Sequence, residues 1–139
     1  MDLDTAIQLL RDNRESVPKP LRLPTADELA SAESDLGLSF HHDYRRFQLE
    51  ASDCVFGTLE PALVLPGLMP YLDLRKTATD AWSIGAPRDA LPFCQDNGNY
   101  FLLNSAGHVG YFDHEDSSAH FGHGDLAAWI VEDWLESSA

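Results

Sequence analysis

Apolar positions in the first half of the chain recur at helical spacing. Leu3, Ile7 and Leu10 fall at i, i+4 and i+7 and predict a short helix over 4–14, with Asp4 as its N-cap. Pro18 and Pro20 then interrupt regular structure, so 15–23 reads as a connector that carries Lys19 and Arg22. Leu29, Ala32 and Leu36 mark the buried stripe of a second helix. Its start is written in Thr25-Ala26-Asp27-Glu28, a capping box in which each end of the motif serves the other's backbone N–H. Gly37 is the natural residue to end it. Phe40, Tyr44 and Phe47 share one face of a third helix over 40–49, with Ser39 as the expected N-cap and Arg45 and Arg46 turned to solvent or to a nearby acid. Residues 51–65 hold Cys54, Val55, Phe56, Leu59, Leu63, Val64 and Leu65, broken by Gly57 and Pro61, and predict one or two strands. Residues 71–84 return to a helical pattern anchored by Leu72, Ala78 and Trp82, with Gly85-Ala86-Pro87 as its stop.

From Leu91 onward the pattern shortens. Leu91, Phe93 and Cys94 form one apolar run and Tyr100 to Leu103 another, separated by Asp96-Asn97-Gly98-Asn99. Glycine takes positive φ without steric cost, and Asn and Asp tolerate it, so these four residues predict the tight turn of a β-hairpin. Ser105-Ala106-Gly107 predicts a second turn, 108–112 a third strand, Glu115-Asp116 a third turn and 118–121 a last short strand. Asp125 then caps a closing helix through Glu136, with Leu126, Trp129, Ile130 and Trp134 on one face. Helices, a strand meander and a helix make an α+β fold: N-terminal helices and a C-terminal helix packed on an antiparallel sheet, because hairpin-length links cannot join parallel strands. The 139 residues suit a single domain over 1–139.

Charge narrows the function. Nine basic against 23 acidic residues give a formal net charge of −14, which disfavours nucleic acid and anionic membranes as partners. The distribution is uneven: every Lys and Arg lies at or before Arg88, and the 51 residues after it carry nine acids. That pattern predicts an acidic face suited to a basic protein partner. Asp113, Glu115 and Asp116 are the leading candidates for that contact, since a hairpin turn can project all three carboxylates away from the core. No run is long enough to span a bilayer, and the acidic start lacks the features of a signal peptide, so a cytoplasmic protein is expected. Cys54 and Cys94 then read as free, buried thiols.

Candidate chemistry is thin. His108, His114, His120 and His123 lie near Asp113, Glu115 and Asp116, but the His-x5-His-x2-His spacing of the last three matches no established zinc site. Gly122-His123-Gly124-Asp125-Leu126-Ala127 has the loose form of a dinucleotide loop. Only 12 residues follow it, and Asp125 would set a negative charge where the pyrophosphate belongs. No nucleophile elbow and no phosphate loop occur. The residues therefore point to no catalytic set, no metal and no cofactor.

Several segments together resemble the SUKH superfamily. They are Leu23 to Leu38, Asp43-Tyr44-Arg45-Arg46-Phe47, Leu91 to Phe101, the strand from His108 to Glu115 and the closing stretch from Phe121 to Leu135, covering roughly 23–135. The chain departs from the family pattern in two places: Ser39-Phe40 stands where Leu-Pro is usual, and Gly98-Asn99 where Gly-Asp is usual. The superfamily includes the yeast cell-wall-assembly regulator and many bacterial immunity proteins. The resemblance implies an α+β fold without catalysis, and a protein that binds and neutralises a polymorphic or contact-dependent toxin, a nuclease among the candidates. A nuclease presents a basic groove that an acidic protein can occupy. Two alternatives stand beside this one: a regulatory interaction module of the same fold with no toxin partner, and a metal-dependent enzyme using the late histidines.

Overall fold

The fold was read from a computed structural model that describes residues 1–122 and 124–138. Four helices come first: α1 (Leu3–Asn13), α2 (Ala26–Leu36), α3 (His42–Ala51) and α4 (Leu74–Ser83). Strands β1 (Leu91–Asp96), β2 (Asn99–Leu103), β3 (Val109–Asp113) and β4 (Ser118–His120) follow as an antiparallel meander in the order β1-β2-β3-β4. The chain closes with α5 (Leu126–Ala128), which runs on as a π-helical segment, Trp129–Glu136. This is the α+β arrangement expected from the sequence. No helix among the described residues is long and apolar enough to cross a membrane.

Alternation along the strands covers both faces of the sheet. Phe101 and Leu103 point to the main core, where they meet α1, α2, α3 and the closing helix. Tyr100 and Leu102 point the other way, and with Phe112 they pack against Ala81 of α4 and against Ala86 and Ala90. A bulge in β1 between Pro92 and Cys94 sets Cys94 opposite Phe101, so that the consecutive Phe93 and Cys94 both join the main core. The Phe93 carbonyl, freed from the ladder, accepts the Ala62 backbone N–H at 2.8 Å.

Helix ends show where local signals succeeded. The Thr25 hydroxyl accepts from the Glu28 N–H at 3.2 Å and Glu28 Oε1 accepts from the Thr25 N–H at 3.0 Å, while Gly37 ends α2 at φ 65°. Two expected caps are corrected. Asp2, not Asp4, caps α1 by accepting the Thr5 N–H at 2.8 Å, and Asp4 instead meets Arg46 of α3. His41, not Ser39, caps α3, its Nδ1 accepting the Asp43 N–H at 3.1 Å. Phe40 stays outside that helix because the capping His41 is extended, at φ −60° and ψ 146°, and the Phe40 N–H goes to the Glu33 carboxylate at 2.7 Å.

The strands expected over 51–65 do not form. Gly57 turns the backbone at φ 57°, and Pro61 has no N–H to give a ladder. What remains is one isolated parallel bridge, Leu63 with Asp73. The apolar residues Ala62 to Leu65 are buried all the same, beneath an irregular loop.

Glu28 also carries the clearest pH signature. Arg22 grips its two carboxylate oxygens through separate N–H groups, each at 2.7 Å. These bonds, with the Thr25 N–H, hold the carboxyl down at about 2. A carboxyl lowered in the folded state contributes stability above its unfolded value, and loses it as pH falls through the folded one. The melting-temperature gap between wild type and Glu28→Gln is therefore expected to be widest above pH 4.5 and to close by about pH 2. Solvent screening keeps that gap modest, since Arg22 is largely exposed. A gap that persists unchanged in acid would assign the effect to something other than this pair.

Candidate interaction surface at the end of the sheet

In a meander the first and third turns lie at the same end of the sheet. Here those are the two turns that the sequence singles out. Asn97 and Gly98 join β1 to β2 with φ 52° and 89°, the paired left-handed conformations of a two-residue hairpin turn. The Asp113–Ser118 turn joins β3 to β4, with Ser117 at φ 54°. Asn99 links the two: its Oδ1 accepts the His114 backbone N–H at 2.9 Å and lies 2.6 Å from His114 Nδ1. A carbonyl oxygen only accepts, so His114 carries its proton on Nδ1.

Two of the carboxylates there, those of Asp113 and Asp116, are held by backbone N–H groups. Asp113 accepts the Glu115 N–H at 2.9 Å, and Asp116 accepts the Ser118 N–H at 3.0 Å. The hydrogen bond from Ser118 keeps the Asp116 carboxyl below its ordinary value. Glu115 and Asp116 are exposed and Asp113 is half-buried. On the first turn, Asp96 accepts from the Tyr111 hydroxyl at 2.8 Å, and Tyr111 accepts from Asn99 Nδ2 at 3.1 Å. Burial raises the Tyr111 hydroxyl, so it stays a donor at neutral pH. The two acidic turns thus form one surface braced by Asn99 and Tyr111. Sequence reading assigned them separate roles, yet the meander order alone places them side by side.

Positive charge is spent elsewhere. Arg11, Arg22, Arg45, Arg46, Arg75 and Lys76 all enter ion pairs with Asp or Glu on the helical side of the molecule. Arg88 stacks on the Trp82 ring at 3.7 Å and donates to the Leu36 carbonyl. Among the described residues, Asp96, Asp113, Glu115 and Asp116 have no Lys or Arg in ion-pair contact.

Among the described residues, His108, His114 and His120 form no group of metal-ligand donors with one another. His108 and His114 flank opposite ends of β3, His120 ends β4, and His123 lies outside the described residues. Among the described residues, the trio of possible metal ligands with donor atoms within 4.8 Å of one another is His41, His42 and Asp43. His41 Nδ1 is already engaged by the Asp43 N–H, and the trio sits at the N-terminus of α3, where the helix dipole disfavours a cation. Cys54 and Cys94 are free and buried. Burial pushes the Cys54 thiol up to about 11 and raises Cys94 further, which leaves neither as a ready nucleophile.

Fold and surface together define an α+β domain with an acidic, hydrogen-bonded sheet end. The family model described as SUKH_5, SMI1-KNR4 cell-wall, matches residues 3–135, and the chain belongs to that family. It is also similar to a solved structure described as the crystal structure of a protein from Pseudomonas syringae pv. tomato. That likeness has a TM-score of 0.85 at 31% identity and covers 96% of this chain and 99% of the other. No curated protein matches the chain significantly.

Proposed function

We propose that this SUKH-family chain is a non-catalytic binding protein that neutralises a basic toxin domain, with the acidic end of the sheet as its docking face. The observation that carries this reading is the turn at Asp113, Glu115 and Asp116. Backbone N–H groups hold the Asp113 and Asp116 carboxylates, Glu115 stands exposed between them, and none of the three has a Lys or Arg in ion-pair contact among the described residues. A preorganised face loses little entropy on binding, and its field speeds encounter with a positive partner. Family membership supports the reading, since SUKH domains are commonly immunity proteins. A nuclease fits as the toxin, because it must present a basic surface to its own substrate.

The test is co-expression with a toxin encoded beside this gene. Protection of the host and co-purification of the pair are expected. Failure to protect against every neighbouring toxin, with no basic protein co-purifying, would overturn the proposal.

A further inference from the structure

Beside the acidic turns runs a groove that the sequence did not announce. It begins as an apolar cavity of about 180 Å³ between the 17–21 connector and the 52–63 loop, floored by Phe47, Leu63 and Trp134. Leu21 and Val55 stand on its rim, each 38% exposed. A second cavity of about 240 Å³ shares Leu59 and Glu60 with the first and reaches Tyr71, Gln95, Asp96 and Asn97. The groove therefore leads from apolar to acidic and ends at the hairpin turn of the proposed docking face.

We infer that this groove receives a segment of the partner protein in which an apolar side chain stands next to Lys or Arg. The inference rests on the reading of the chain as a binder of a basic protein. The apolar cavity is smaller than the roughly 300 Å³ at which sites for drug-sized ligands begin, so it suits one side chain. Its floor is fixed before binding: the Phe47 and Trp134 rings pack edge to face at 6.0 Å, and Trp134 Nε1 donates to the Phe56 carbonyl at 2.9 Å. The second cavity suits a cation. Glu60 and Asp96 pair with no Lys or Arg among the described residues, Gln95 and Asn97 add amide oxygens, and the Tyr71 ring is half exposed. Lys19, the cation at the rim, lies by the apolar cavity and not by the acidic one, and Asp53 there is already paired with Arg11 at 2.9 Å. The charge order of the groove thus fixes the order of the occupant.

The experiment is a titration of the isotope-labelled full chain, followed by amide NMR shifts, with three blocked tetrapeptides: Gly-Leu-Arg-Gly, Gly-Ser-Arg-Gly and Gly-Leu-Glu-Gly. Shifts at Val55, Leu59, Glu60 and Gln95 are expected with the first peptide. Affinity is expected to fall about threefold or more for each of the other two and for Glu60→Gln, an exposed change that leaves the core intact. Equal response to all three peptides, shifts confined to the Glu115 turn, or no response at millimolar peptide would each overturn the inference. The toxin separates its failure from that of the proposed function. If Val55→Asp and Glu60→Gln leave toxin affinity unchanged while neutralising the Asp113 turn slows association, the docking face stands and the groove falls. Selective peptide binding in a chain that protects against no toxin would keep the groove and remove the function.

Discussion

Replacing Trp134 with alanine is expected to cost about 3–5 kcal/mol of folding stability. The side chain is only 1% exposed and sits where the closing helix meets α3 and the sheet. Its ring lies 6.0 Å from Phe47 and 5.7 Å from Trp129, and Trp129 in turn packs on Phe93 at 4.9 Å and Phe101 at 5.4 Å. Truncation removes the contacts of a large ring and leaves a void that this aromatic cluster cannot fill without moving the backbone. It also removes the donor to the Phe56 carbonyl. Urea unfolding with an unchanged slope and a lowered midpoint is the expected readout, and Trp134→Phe should cost less because part of the ring remains. A loss under about 1 kcal/mol for the alanine variant would show that the cluster is not the centre of the core.

Gly57→Ala is expected to destabilise by more than about 2 kcal/mol, through two additive causes. The backbone there has φ 57°, and a Cβ would lie 2.2 Å from the Ser138 carbonyl oxygen and 2.7 Å from its carbon. Those are backbone atoms, tied down by the Thr58 N–H, which donates to the Ser138 carbonyl at 3.0 Å. Gly67 supplies the control: its φ is 74°, and nothing lies within 4 Å of a Cβ placed there. Gly67→Ala should therefore show the conformational cost alone, about 1 kcal/mol. Equal melting temperatures for the two variants would mean that the chain end does not pack on the 52–63 loop. Gly98→Val belongs with them at smaller scale. With φ at 89° and the His114 ring 3.2 Å from where a Cβ would stand, more than about 1 kcal/mol should be lost, and an unchanged melting midpoint would contradict the turn geometry.

Local chemistry made the strand order and most helices legible in the sequence. Thr25 and Glu28 announce α2, Gly37 ends it, and Asn97-Gly98 announces the hairpin, because each signal acts within a few residues. Errors arose where a distant partner decided. The His41 ring caps α3 in place of Ser39 while Glu33 anchors the Phe40 N–H ahead of it, and Arg46 draws Asp4 away from a capping role. The 51–65 stretch has the apolar content of strands, but its N–H groups go to single sites such as the Phe93 and Leu72 carbonyls. The closing helix hides another feature. Trp129 and Trp134 are five apart, about 140° round an α-helix at 100° per residue, and the π-helical backbone brings them closer to one face. No local signal marks that change.

The candidate surface was half legible. Asp113, Glu115 and Asp116 follow from charge asymmetry and turn chemistry alone. The bracing of that turn by Asn99 follows only from register, since Asn99 stands in β2 across from the end of β3. The groove could not be read at all: Val55, Leu59 and Leu63 look like strand residues, and nothing local tells that they line a cavity beside Trp134.

The central claim is that this acidic turn steers a basic toxin, and association kinetics test it most directly. The variant is the triple replacement Asp113→Asn, Glu115→Gln and Asp116→Asn. Both asparagines keep an oxygen to accept the Glu115 and Ser118 N–H groups, so stability should change by under about 0.5 kcal/mol. Raising ionic strength from about 0.1 M to about 1 M shortens the screening length from about 10 Å to about 3 Å. Stopped-flow mixing with the cognate toxin should show wild-type association slowing by about tenfold or more over that range, with the triple variant already slow at low salt and nearly insensitive to it. An association rate indifferent both to salt and to the triple replacement would contradict the claim.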